Sequence, residues 1–207
     1  LAAYAYLVSY AGSTVLGLTR PGFVLLHVIA SGAFVLIYFK WSGASWVETP
    51  RILMRGVAAG LTAAALLTSL LVIGSDAVDA TSLEDLALGL LGLGVAYGGV
   101  DALLLTVAPM DAVRSTARAS EAAGPRRRLA TAALALSASA AVTALYHLGF
   151  KEFRGPTLAL PLVGNTVVSL AYVLSASRAA PLIAHVGLHV AGVLLATGAG
   201  GPLPPHA

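Results

Sequence analysis

The chain has no cysteine. That excludes a disulfide framework, a thiolate nucleophile, an iron–sulfur cluster and Cys-ligated zinc. Any metal must be held by His, Asp, Glu, Asn or backbone oxygens. Charge is scarce too. Asp, Glu, Lys and Arg make up 10% of the 207 residues, where a soluble globular domain is about a quarter charged. Apolar residues fill 58% of the chain, and its mean hydropathy is +0.88. These proportions place it in a lipid bilayer. The formal net charge of +3 does not indicate nucleic acid, because the basic residues are scattered through short loops and form no phosphate-binding stripe. No lysine lies in the middle of an apolar run, which argues against a retinal Schiff base.

A helix crossing the bilayer needs about 20 predominantly apolar residues. Segments 2–18, 22–39, 56–75, 86–109, 129–149, 158–176 and 179–197 qualify. The expected fold is therefore all-α: a polytopic membrane helix bundle of about seven transmembrane helices, forming one integral membrane domain over residues 1–207. No soluble domain, internal repeat or long linker is evident. Ala, Gly, Ser and Thr are abundant, as expected where helices in lipid approach closely. Because the chain opens on Leu1, its natural start is expected upstream, and the opening run reads as an ordinary span, not a signal peptide.

Basic residues in short loops set the orientation. Lys40, Arg51, Arg55, Arg114, Arg118, Arg126, Arg127, Arg128 and Arg178 would share one side. Arg20, Lys151 and Arg154 would share the other with the acidic loop SDAVDATSLED. The side with more basic residues is expected to be cytoplasmic, with the N-terminus of this chain inside and its C-terminus outside.

Ionisable groups inside spans are costly and face the bundle interior or a watery cavity. Five qualify: His27, Asp101, His147, His185 and His189. Asp101, in GVAYGGVDALLLTVAPM, reads either as a protonated acid bonded to a neighbouring helix or as a general base beside histidines; the second reading is preferred. The glycines before it permit close helix approach, and Pro109 frees a carbonyl and favours a kink. His147 ends its span in ALYHLGFKEFRGP, with Glu152 close enough in sequence to orient the imidazole or simply to sit in a solvated loop. His185 and His189, four residues apart, share one helix face, a spacing suited to metal ligation. HxxxH alone is a weak motif and lacks the glutamate of HExxH. Asn165 suits an interhelical hydrogen bond or an oxyanion contact. His27 reads as a packed, hydrogen-bonded histidine, and His206 as exposed.

The segment YHLGFKEFRGP…LVGNTVVSLAYVLSASRAAPLIAHVGLHVAGVL resembles the CAAX prenyl protease-like, or CPBP, family of intramembrane metalloproteases. GGVDALLLTVAP is similar to a reduced form of that family's first motif, as in divergent prokaryotic branches, and GPLPPHA to the close of such a branch. The resemblance covers roughly residues 86–206. Asp101 stands where glutamate is usual, Ala102 replaces the second acid, Thr106 the motif arginine, Thr143 the motif Phe, and His189 an Asn or Asp. The resemblance implies that Asp101 and His147 activate water, with His185 and His189 as oxyanion stabilisers or metal ligands. It further implies a divalent metal such as zinc held by His147, His185 and His189, Glu152 and Asn165 as supporting groups, a peptide or membrane-protein substrate and a prokaryotic cell membrane. An alternative acid pair, Glu84-Asp85, lies nearer the depth of His147.

Two other classes remain open. A non-proteolytic relative would use the same groups as a transporter or proton or cation relay, with a continuous polar path to both faces. A bis-histidine haem protein would pair imidazoles from opposing helices.

Overall fold

The computed structural model describes residues 1–43, 47–73, 83–118 and 124–195. No strand occurs among them. The chain runs through successive helices. Helix α1, Ala2–Tyr10, passes directly into a π-turn, Ala11–Val15. Helices α2, Arg20–Ser42, and α3, Pro50–Ile73, follow. Helix α4 begins at Leu83 and ends at Arg118, with π-helical stretches at Gly89–Tyr97 and Ala102–Val107. Helix α5 is Pro125–Leu148; α6, Ala159–Ser175, follows a 3-10 turn at Pro156–Leu158; α7 is Ala179–Leu195.

Proline placement explains several of these starts. Helices α2, α3 and α5 each have one in the first turn, where its missing N–H costs nothing. Pro109 instead falls inside α4, just after the π-helical stretch Ala102–Val107, and the Leu105 carbonyl that its missing N–H would have met accepts from Ser139 Oγ at 2.7 Å. Helix α2 ends at Gly43 in the left-handed region, φ 63°, where glycine carries no Cβ penalty. Helix α6 ends at Ala176 with φ 59°, a strained backbone for alanine.

Among the described residues, five helices are long and apolar enough to cross a membrane: Arg20–Ser42, Pro50–Ile73, Leu86–Ala117, Pro125–Leu148 and Pro156–Ser175. Together with the shorter apolar helix Ala179–Leu195, they make an all-α membrane helix bundle. Each of the seven apolar segments read from the sequence falls on a helix, though their described lengths differ. Helix α7 has 17 residues, about 25 Å at 1.5 Å per residue, and α1 with its π-turn stops at Val15. Conversely, α3 begins earlier than the apolar run and includes Arg51 and Arg55, while α4 and α5 extend into the Arg-rich connection.

Helix α2 shows how burial is partitioned. Phe23, His27, Ser31, Val35 and Phe39, each four residues on, face inward, while Leu25, Ile29 and Leu36 face out. The outward residues suit lipid, where an apolar surface needs no protein cover. Inside, Ala5, Phe23, Tyr97, Leu104, Val107 and Tyr146 belong to a single packed cluster. A second, around Ala63, Leu67, Val168 and Ala184, joins α3, α6 and α7.

Helices α3 and α7 approach through small residues. A Cβ on Gly60 would lie 2.8 Å from the Ala180 carbonyl oxygen, and one on Gly187 would lie 2.7 Å from Ala64 Cβ. Contact at this range is what van der Waals packing of helices in lipid favours. It places α7 and its two histidines in the interior.

Candidate metal centre

Three helices deliver the central groups. Asp101 follows Gly98 on α4, where a Cβ would sit 3.1 Å from His189 Cδ2 and 3.2 Å from the His185 carbonyl oxygen. The missing side chain lets α4 lie against the face of α7 that carries both imidazoles. Those rings are nearly parallel, 18° apart, with centroids 6.3 Å apart. His27 comes from the inward stripe of α2. Asp101, His27, His185 and His189 are all buried.

One ligand atom each from Asp101, His185 and His189 lies within 4.8 Å of the others. This buried carboxylate and two imidazoles form a set able to hold a metal ion. Asp101 Oδ2 is 3.5 Å from His189 Nε2, and Asp101 Oδ1 is 2.9 Å from His27 Nε2. The second pair meets at ion-pair distance without the alignment of a good hydrogen bond. On the far side of its ring, His27 Nδ1 is 3.3 Å from Ser31 Oγ, which is 3.3 Å from the Tyr4 hydroxyl. Tyr97 and Tyr146, whose hydroxyls hydrogen-bond each other, pack beside His27 at centroid distances of 4.7 and 5.3 Å. The ring of Tyr97 also meets His189 edge-on.

A second polar group supports His185. Its Nε2 is 3.5 Å from Thr106 Oγ1, which donates to Asn165 Oδ1 at 3.0 Å. Asn165 Nδ2 donates to Ser139 Oγ at 3.0 Å, and Ser139 donates to the Leu105 carbonyl at 2.7 Å. His185 Nδ1 and His189 Nδ1 are buried without hydrogen-bond partners.

Of the residues singled out in the sequence, Asp101, His185 and His189 come together, and Asn165 lies behind them. His147 is not in the set of mutually close ligand atoms. It occupies the last turn of α5, where its Nδ1 hydrogen-bonds the Thr143 carbonyl at 2.8 Å and its ring packs edge-on against Tyr146 and Phe153. The group of three is thus completed by Asp101, and His147 stands outside it. Glu152 lies on the exposed 3-10 turn Lys151–Phe153, where its backbone carbonyl accepts the Thr157 hydroxyl. Thus a main-chain oxygen, that of Thr143, orients His147. The side chains of Glu84 and Asp85, and all of His206, lie outside the described residues.

His27, read in the sequence as a packed, hydrogen-bonded histidine, is buried and contacts Ser31, and it also meets Asp101. Its signal was present: an ionisable residue within a span, with Ser31 one turn later on the same face. Only its partner was invisible, since Asp101 is on another helix.

Comparison of the chain with protein-family models, with curated proteins and with solved structures finds no match.

Proposed function

We propose that the chain is an integral membrane hydrolase that uses a divalent metal held by Asp101, His185 and His189. The observation that carries this reading is the convergence of their three ligand atoms within 4.8 Å at a buried position. An oxygen and two imidazole nitrogens suit zinc, among other first-row ions. Donors bonded to one tetrahedral ion at about 2.0–2.2 Å stand roughly 3.3–3.6 Å apart, and Asp101 Oδ2 is 3.5 Å from His189 Nε2. His185 Nδ1 has no protein partner, so ligation would relieve the cost of leaving it buried and bare.

Three protein ligands leave one position open, the pattern of catalytic rather than structural zinc. Such an ion supplies an acidified water and polarises a carbonyl. In this arrangement His27 steadies Oδ1 of Asp101, and Tyr97 and Tyr146 shield the carboxylate from bulk water. A peptide bond as substrate rests on the resemblance to intramembrane proteases, and hydrolysis on the donor set.

Metal content and cleavage by the full chain in detergent test both parts. The expected outcome is zinc bound by the wild type and lost on Asp101→Ala, His185→Ala or His189→Ala. Cleavage of a transmembrane peptide should stop with a chelator and return with zinc. A folded wild type that takes up no zinc sinks the metal reading; bound zinc without peptide cleavage sinks the peptidase assignment.

A proton or cation relay is the second reading, favoured by the string Tyr4, Ser31, His27 and Asp101. It predicts proton or cation flux in proteoliposomes that survives complete metal removal.

A further inference from the structure

The polar chain behind His185 has a direction, set by counting protons. A serine or threonine hydroxyl has one proton to donate, and an asparagine amide donates only through its nitrogen. Ser139 directs its proton to the Leu105 carbonyl at 2.7 Å, the shortest of its contacts. Its oxygen therefore accepts from Asn165 Nδ2 at 3.0 Å. That fixes the Asn165 amide with Oδ1 toward Thr106, whose proton it receives at 3.0 Å. Thr106 has then spent its proton. Toward His185 Nε2, 3.5 Å away, its oxygen acts only as an acceptor.

We infer that Thr106 and Asn165 are positioning residues that hold His185 in the tautomer protonated at Nε2, leaving Nδ1 as its metal-binding atom. A neutral imidazole carries one proton, so a proton held at Nε2 leaves the lone pair at Nδ1. Nδ1 is the His185 ring nitrogen that is buried without a hydrogen-bond partner. Ligating histidines characteristically donate their other N–H to a fixed acceptor, which sets both ring orientation and tautomer. Here the acceptor is a threonine, itself oriented through Asn165 and Ser139 by the main-chain carbonyl of Leu105. That carbonyl lies one residue before Thr106, so α4 anchors both ends of the relay, which passes through α5 and α6. Thr106, Asn165 and Ser139 are all buried, so bulk water does not compete for these bonds.

The inference rests on the metal reading for its purpose but not for its geometry, and the experiment separates the two. The full chain, labelled with 15N-histidine and purified without metal, is examined by NMR for the tautomer of His185. Co2+ binding is then titrated by its visible absorption for wild type, Thr106→Val and Thr106→Ser. The expected wild-type spectrum shows His185 protonated at Nε2. Thr106→Val, close in shape but without the hydroxyl, should lose that preference and bind Co2+ about 10–100-fold more weakly. Thr106→Ser should restore both. A metal-free wild type protonated at Nδ1 overturns the inference, as does a Thr106→Val protein that keeps both tautomer and Co2+ affinity. If the wild type shows the Nε2 tautomer but takes up no Co2+, the metal reading fails and the tautomer assignment stands. A Thr106→Val chain that does not fold leaves the wild-type spectrum and the serine variant to decide.

Discussion

His27 Nε2 lies 2.9 Å from Asp101 Oδ1, tying α2 to α4 in the interior. Both groups are almost wholly removed from solvent, and each helps compensate the other for leaving water, beside Ser31 at His27 and His189 at Asp101. Removing one partner of a buried pair strands the other and costs about 3–5 kcal/mol, whereas replacing both with apolar groups is often close to neutral. His27→Leu and Asp101→Leu should therefore each lower the unfolding midpoint sharply in detergent. The double variant should recover most of that loss. Thermal unfolding of the four proteins checks this, and simple additivity of the two losses would show that the contact carries no coupling.

A second, largely buried polar group joins α4, the end of α6 and the α6–α7 turn. Arg178 Nε donates to Asp111 Oδ2 at 2.6 Å, and Tyr172 donates its hydroxyl to Asp111 Oδ1. The guanidinium of Arg114 lies 4.9 Å above the Tyr172 ring, and Glu48 accepts from the Arg178 backbone N–H at 2.7 Å. These contacts hold the α6–α7 turn, including Ala176 in its unfavourable left-handed conformation. Asp111→Ala should destabilise the chain by about 1–3 kcal/mol, the scale of losing hydrogen bonds to a charged group. Zinc content should not change, because Asp111 is outside the ligand set. A variant that keeps its midpoint but loses the zinc proposed for the wild type would show instead that this end of the bundle belongs to the candidate metal centre.

Much of the inward pattern was legible residue by residue. The four-residue spacing of His185 and His189 places them on one face, and an HxxxH face in an apolar helix had to turn inward. Gly98 just before Asp101 foretold a close helix contact. Pairing between helices was not legible, because local periodicity gives the face a residue occupies and not the helix it meets. His27 thus looked like a packed histidine until α2 was set against α4. The local partner of His147 was equally hard to read: at the last turn of a helix an imidazole can turn back to a carbonyl one turn earlier, and Thr143 provides one. Asp111 drew no reading from the sequence, because it follows the apolar run of α4, which the helix outlasts.

The packing against α3 gives opposite expectations for two glycines, Gly60 on α3 itself and Gly164 on α6. Replacing a glycine within a helix by alanine gains about 0.8–1 kcal/mol of intrinsic helix preference, so alanine should stabilise wherever there is room. At Gly164 on α6, the nearest atom to an added Cβ is Leu67 Cδ2 at 4.0 Å, and Gly164→Ala should raise the unfolding midpoint slightly. At Gly60 the same Cβ would meet the Ala180 carbonyl oxygen at 2.8 Å and Ala180 Cα at 3.2 Å. Those are backbone atoms of α7 and cannot rotate away. The helices must separate, and overpacking of this kind costs about 1–3 kcal/mol, enough to outweigh the helix gain. Gly60→Ala should therefore lower the midpoint. Because Ala180 lies on the same rigid helix as His185 and His189, the displacement should also weaken Co2+ binding, an effect Gly164→Ala should lack. Equal midpoints and equal Co2+ affinities for the two variants would show that α3 does not set the position of α7 at the metal centre.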